Sequence, residues 1–372
     1  MKVLIVSLAY LPFIGGAELA VKEITDRIEG IDFDMVTVNL DKKQKSIEQI
    51  GKIKVYRIGN GWLGKYFFPW QALKKATELQ TEKKYDVVWA VMANQAGIVA
   101  LKFKEKFPEV KYLLTLQEGD SLRRIWSRTW FMRKTYKNIY RKADQIQAIS
   151  TYLAKRATSY GFKGKIEIIP NGVDLESFKK VFLPAETEAL RQKLGILPHE
   201  KVIITTSRLV FKNGIDTLIK AIKELPVKVL IIGSGSWEIK LKSLAQELGV
   251  RDKILFLGYI DQKNLPIYLK MSDIFVRPSR SEGLGSAFLE AMAAGLAVIG
   301  TKVGGIPDFL RDGENGLFCE VNNPSDLSAK IQILLNDNSL RQKLIDNGSQ
   351  LVVKDYDWQK IALGMKDIFQ SL

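Results

Sequence analysis

The sequence predicts an α/β protein made of two Rossmann-like, doubly wound parallel-sheet domains that face each other across a cleft. Three observations predict it. The chain has 372 residues, too many for one ordinary domain and suited to two. Short apolar, β-rich runs alternate with amphipathic stretches, the pattern of parallel strands covered by helices on both faces. That alternation is interrupted by the turn formers Pro170, Asn171 and Gly172, and then starts again.

In the first half, strands are expected at 2–8, 33–39, 54–58, 85–91, 111–116, 145–150 and 165–170, with helices such as 17–29 and 70–84 between them. In the second half, strands are expected at 202–207, 227–233, 253–258, 273–279 and 296–301, with helices at 214–224, 236–249 and 286–295. These spans divide the chain into domains 1–175 and 176–354. The last stretch, 355–372, places Trp358, Ile361, Met365 and Phe369 at helical spacing, as a terminal helix packed on the first domain would.

Composition narrows the chemistry. A single cysteine, Cys319, rules out a disulfide within the chain and fits a reducing compartment. A single histidine, His199, in a turn-like LPHE stretch cannot anchor a zinc site. The apolar start, VLIVSLAYLPFIG, is interrupted by Pro12 and Gly15-Gly16, so it reads as a buried first strand running into a glycine loop rather than as a signal peptide. No run reaches the ~18 apolar residues of a membrane span. Net charge is +15. Residues 1–175 hold 30 Lys/Arg against 18 Asp/Glu, whereas 176–372 hold 26 against 23. The first half is therefore suited to an anionic membrane surface, a phosphorylated acceptor or a nucleic acid, unless it is simply lysine-rich for solubility.

The segment richest in chemistry is SEGLGSAFLEAMAAGLAVIG, 281–300. A strand runs into a glycine loop that opens a helix. Gly283 and Gly285 let backbone approach a ligand, and free amides near Ser286 and Ala287 suit a phosphate. Glu282 in the loop and Glu290 in an otherwise apolar helix can address one ligand from two directions.

This E-x7-E segment resembles the signature of family-4 retaining glycosyltransferases of the GT-B fold. Other motifs resemble the family in the expected order: YLPFIGGAE (10–18), PNGVD (170–174), TTSRLVFKNG (205–214) and TKVGGIPDFLRDGENGLF (301–318). The resemblance implies a hexosyltransferase whose donor is a nucleotide-diphosphate sugar, UDP- or GDP-linked. Arg208 and Lys212 would bind the donor diphosphate and stabilise the departing charge. Gly15 and Gly16 would let backbone reach the distal phosphate and sugar, Glu290 would hold the ribose, and Glu282 would contact the transferred sugar. The loop from Gly258 through Ile260 to Asp261 would hold the base through backbone groups. Where the family commonly has a His, this chain has Gln117, which hydrogen-bonds but does not titrate, so the catalytic set reads Arg208, Lys212, Glu282 and Gln117. Glu118 and Asp120 share that loop, within reach of an acceptor.

Other patterns are weaker. Asp32-Phe33-Asp34 and Asp355-Tyr356-Asp357 are D-x-D pairs away from the phosphate motifs, and no metal or other cofactor is expected. IIGSGSWE (231–238) lacks the third glycine of a dinucleotide fingerprint and is expected to line the nucleotide cleft. The stretch 121–142 holds eight Lys/Arg and no Asp/Glu, with Trp126, Trp130, Phe131, Tyr136 and Tyr140 interleaved. Together with the aromatic 60–70, it suits an anionic membrane surface or the core of the first domain. No nucleic-acid module is present. The sequence thus points to a cytoplasmic, peripherally membrane-associated retaining glycosyltransferase whose acceptor is a lipid-linked or phosphorylated glycan. An epimerase of the same fold, a soluble glucan or sucrose-type synthase, and a non-catalytic sugar-nucleotide binder are the alternatives.

Overall fold

The computed structural model describes residues 1–13, 15–41, 43–59, 61, 64–120, 127 and 130–372, with the backbone alone at 65, 66 and 131. The chain forms two compact units, Met1–Gly172 with Trp358–Leu372, and Val173–Asp357. The divisions fall where the outgoing and returning strands of chain pair. Val173 bridges to Asp357, and the Val173 amide donates to the Tyr356 carbonyl at 2.7 Å.

Among its described residues the first unit holds eight strands: β1 (Lys2–Val6), β2 (Asp32–Val38), β3 (Ile47–Ile50), β4 (Ile53–Ile58), β5 (Val87–Val91), β6 (Lys111–Leu116), β7 (Gln145–Ala148) and β8 (Lys165–Ile168). Their order is β3-β4-β2-β1-β5-β6-β7-β8. Every pairing is parallel except β3 with β4. β3 is absent from the sequence expectation because IEQI is a half-exposed edge strand with no apolar run to reveal it. The central strands are buried throughout, as VVWAV of β5 shows.

The terminal helix Trp358–Ser371 belongs to this unit. Trp358, Ile361, Met365 and Phe369 are all buried in it. The Phe369 ring meets Trp89 edge-on at 5.2 Å and Phe33 at 5.9 Å, which seals one face of the sheet. Deep burial of these rings is worth roughly 2 kcal/mol each.

The second unit holds β9 (Lys201–Thr206), β10 (Val227–Ile232), β11 (Ile254–Gly258), β12 (Ile274–Arg277), β13 (Ala297–Thr301) and β14 (Leu317–Cys319), ordered β11-β10-β9-β12-β13-β14. All five neighbouring pairs are parallel. β14, three residues at the sheet edge, is too short to show as a strand in sequence. In each sheet the first strand in the chain lies inside, and the strand order reverses beside it: next to β1 in the first sheet and next to β9 in the second. Ligands of open α/β sheets bind at such switch points, outside the carboxyl ends of the strands.

Candidate functional site

In the second unit, the switch point lies between β9 and β12, and the loops leaving these two strands meet there. β9 ends at Thr206, and the chain passes through Arg208 to a short 3-10 turn, Phe211–Asn213. Gly214 follows with φ +69, and a Cβ on it would lie 1.9 Å from the Pro278 carbonyl oxygen. Only glycine allows the two loops to press together this closely. Arg208 is exposed and Lys212 half-buried, so both cations stand at the strand ends. Asn213 is buried, and its Nδ2 donates to the Arg208 carbonyl at 2.6 Å.

The turn bearing Lys212 is fixed by Arg280, a residue sequence reading passed over. Its Nη1 and Nη2 donate to Asp216 at 2.8 and 2.7 Å, and Nη1 also donates to the Phe211 carbonyl at 2.6 Å. The guanidinium lies 4.3 Å over the Phe211 ring. Thr205 Oγ1 and Ser207 Oγ, at the same strand end, are buried without a hydrogen-bond partner among the described residues. Polar atoms left unpaired in a folded chain often mark a functional site.

The loop after β12 carries Glu282. This carboxylate is buried at 7 % exposure, yet it is paired: Arg277 Nη2 lies 2.5 Å from its Oε1, and Ser279 Oγ donates to it at 3.1 Å. The sequence signal for Arg277 was a charge closing an otherwise apolar strand. Gly304, at φ +57, lets the following loop pack on this one, since a Cβ there would sit 1.9 Å from the Glu282 carbonyl oxygen.

Gly285 caps the helix Ser286–Ala293 at φ +102 with no side-chain cap, so no side chain of the cap consumes the first-turn amides of Ser286 and Ala287. Glu290, one turn further on, is half-buried and accepts from Gln262 Nε2 at 3.1 Å. Burial pushes its carboxyl up to about 7, against the opposing pull of the Gln262 hydrogen bond and of Arg277. Gln262 therefore ties the loop after β11, which includes Gly258 at φ +67 and half-buried Ile260, to this helix. Gly233 and Gly235, in the glycine stretch after β10, pack against the loop after β9. A Cβ on them would meet the carbonyl oxygens of Ser207 at 1.9 Å and Leu209 at 2.3 Å.

In the first unit, Gly15 and Gly16 open the helix Gly16–Arg27 after the β1 loop. A Cβ at Gly16 would meet nothing within 4 Å, so no neighbour in the fold requires glycine there. Gln117 follows β6 directly, and its Oε1 accepts from Asn171 of the PNGVD segment at 3.3 Å. Asn171 thus sets the side chain of Gln117, a role its turn-forming type did not announce. Glu118 departs from expectation. Its carboxylate turns inward and accepts the Ala93 amide instead of facing an acceptor, and burial pushes its carboxyl up. Asp120 is held through its carbonyl, which accepts from Arg156 at 3.0 Å.

The basic aromatic segment divides in two. Tyr136 and Tyr140, read as suiting either a membrane surface or the domain core, are core residues: Tyr140 is fully buried, Tyr136 nearly so, and Tyr140 stacks on Tyr160 at 4.9 Å. Their spacing of four residues puts both rings on one helix face, where they meet each other and Tyr160. Trp130 is 66 % exposed, as are Trp70 at 71 % and Phe67 at 65 %, while Phe68 is buried. Trp126 lies outside the described residues, as does the side chain of Phe131. Of the D-x-D pairs, Asp34 is a structural acceptor, receiving hydrogen bonds from Tyr85 Oη at 2.6 Å and Lys83 Nζ at 2.7 Å. Asp357 bridges to Val173 at the join. His199 is exposed, Cys319 is buried with its thiol pushed up to about 12, and no metal-holding cluster occurs among the described residues.

Two Rossmann-like sheets of this order, each with a switch point beside its first strand, define the GT-B fold. The chain matches the family described as Glycosyltransferase Family 4 over residues 14–177 and that described as Glycosyl transferases group 1 over 186–369. It is 30 % identical to the GDP-mannose-dependent monoacylated α-(1-6)-phosphatidylinositol monomannoside mannosyltransferase of Corynebacterium glutamicum, across 79 % of this chain and 78 % of that one. Its fold is similar to sucrose-phosphate synthase from Thermosynechococcus elongatus (TM-score 0.89, 22 % identity, 100 % and 98 % of the two chains). It is also similar to Anabaena HepE in complex with UDP-glucose (TM-score 0.84, 21 % identity, all of both chains). The chain belongs to glycosyltransferase family 4.

Proposed function

We propose that this glycosyltransferase moves a hexose from a UDP- or GDP-linked sugar to a lipid-linked or phosphorylated glycan at the cytoplasmic membrane face. Transfer proceeds with retention at the anomeric carbon and without a metal. The observation that carries the donor assignment is the convergence at one switch point of Arg208, Lys212 and the Ser286 helix start, with Glu282 and Glu290 beside them. Cations and helix amides suit a diphosphate leaving group, and they stabilise it most as charge develops on departure. A carboxylate at Glu290 suits ribose hydroxyls, and Glu282 suits the hydroxyls of the sugar. Side-chain cations at the diphosphate take the place a divalent ion would fill.

Two observations support the acceptor. The similar corynebacterial enzyme acts, by its name, on a phosphatidylinositol mannoside. The first unit presents exposed Phe67, Trp70 and Trp130 together with a cleft of about 470 Å³ lined by Arg133, Lys134, Lys137 and Arg141. Aromatics that insert beside cations that attract are the elements of interfacial binding. No helix of the described residues is long and apolar enough to cross a membrane.

The test is turnover. Purified protein is incubated with each nucleotide sugar and a membrane lipid extract, and nucleoside diphosphate release and the anomeric configuration of the product are measured. An α-linked product from an α-linked donor, reduced at least 100-fold by Arg208→Ala, supports the proposal. Donor isomerisation without transfer, or an inverted product, overturns it.

A further inference from the structure

Resting on that donor assignment, we propose that Arg277 is a positioning residue that couples the diphosphate loop to the sugar-contacting carboxylate and so sets donor-sugar selectivity. Arg277 ends β12 at the switch point, with its side chain 12 % exposed. One nitrogen serves two partners: Nη2 lies 2.5 Å from Glu282 Oε1 and donates to Asn213 Oδ1 at 3.3 Å. Asn213 in turn donates to the Arg208 carbonyl at 2.6 Å. A continuous chain of hydrogen bonds, Glu282–Arg277–Asn213–Arg208, therefore joins the two loops that hold opposite ends of the donor's phosphate–sugar portion.

The arrangement has a physical consequence. A buried carboxylate without a partner takes up a proton and rotates, and one held by a cation stays ionised with fixed lone pairs. Arg277 occupies Oε1 together with Ser279, which directs the other oxygen, Oε2, to whatever lies beside it. Glu282 then accepts hydrogen bonds from hydroxyls in one geometry only, which distinguishes a sugar from its epimer. Arg277 is engaged by Glu282 and Asn213, and in this proposal the diphosphate is left to Arg208 and Lys212. Arg277 Nε, buried without a partner among the described residues, shows that the side chain is placed for these two contacts and not for full satisfaction of its own donors.

The experiment compares wild type, Arg277→Met, Arg277→Lys, Glu282→Gln and the charge-neutral double variant Arg277→Met/Glu282→Gln. The double variant removes both buried charges and is read against Glu282→Gln alone: because Arg277 acts through Glu282, the two are expected to lose the same discrimination, and a further loss in the double variant overturns the proposal. Dissociation constants are measured for UDP, UDP-glucose and UDP-galactose, and for GDP, GDP-mannose and GDP-glucose. In the series that wild type binds, Arg277→Met and the double variant are expected to lose at least tenfold of the discrimination between the two sugars, with affinity for the bare nucleoside diphosphate within threefold of wild type. Arg277→Lys is expected to restore part of it. Discrimination retained in a folded Arg277→Met or in the double variant overturns the proposal. So does an equal loss for diphosphate and nucleotide sugar, which would make Arg277 a phosphate ligand. Wild type that binds neither series overturns the donor assignment itself, and this inference with it.

Discussion

At Glu290, the proposed ribose contact, the same carboxyl also bears on stability. Its folded-state pKa, about 7, lies above the ordinary 4.5, so the protonated form favours the fold. That contribution is complete below about pH 4.5 and is lost as the pH rises through about 7. Glu290→Gln, which is neutral at every pH, is expected to match wild type near pH 4.5 and to exceed it at pH 8 by ~1–3 kcal/mol in urea unfolding. Ribose hydroxyls need the ionised form. Affinity for a nucleotide sugar, whose diphosphate does not titrate in this range, is therefore expected to rise between pH 6 and pH 8 in wild type and to stay flat in Glu290→Gln, as calorimetric titration would read. A flat wild-type profile would detach Glu290 from the nucleotide. Gly214 allows a second residue-scale prediction. Its φ of +69 and the 1.9 Å approach of the Pro278 oxygen leave no room for a Cβ. Gly214→Ala is expected to cost about 2 kcal/mol or more and to lower the melting temperature by roughly 5 °C or more, measured by differential scanning calorimetry.

At the scale of elements, function rests on a short turn. Phe211–Asn213 is anchored from within by buried Asn213 alone, because Phe211 is 53 % exposed and Lys212 half-buried. Arg280 holds it from outside the turn, through Asp216 and the Phe211 carbonyl. Arg280→Met leaves Asp216 without its bidentate partner and is expected to cost ~2–4 kcal/mol, read by chemical denaturation. It should also weaken nucleoside diphosphate binding about tenfold, because Lys212 loses its fixed position. Unchanged affinity in a destabilised variant would show that the turn orders itself.

What the sequence disclosed follows the same division. Central strands were legible because parallel strands buried on both faces are continuous apolar runs, and the glycine loops were legible as motifs. Edge strands β3 and β14 were not, since edges carry neither length nor periodicity. Arg208, Lys212, Glu282 and Glu290 could be read from spacing and resemblance. Arg277, Asn213, Arg280 and Gln262 could not, because each acts through a contact between loops far apart in sequence. For Tyr136 and Tyr140 the sequence left membrane surface and domain core open, because spacing of four residues marks a common helix face without saying whether it meets solvent or the protein interior.

For the whole molecule, the surplus of Lys/Arg over Asp/Glu is concentrated within residues 1–175, and Phe67, Trp70 and Trp130 stand exposed in the first unit, so attraction and insertion are both available to it. Binding to vesicles containing anionic lipid is expected at low salt, weakened about tenfold or more at 0.5 M salt and by Trp70→Ala/Trp130→Ala. Co-sedimentation measures it, and protein that stays in the supernatant at low salt would remove the membrane from the account. The central claim, that the second unit holds a nucleotide-sugar donor, is tested most directly by thermal stabilisation with UDP, GDP and their sugars, in wild type and Glu290→Ala. At one hundred times its dissociation constant, a ligand adds about 2.7 kcal/mol to stability. One nucleotide class is expected to raise the melting temperature of wild type and not of the variant. Stabilisation by none of them, or equal stabilisation of both proteins, would contradict the claim.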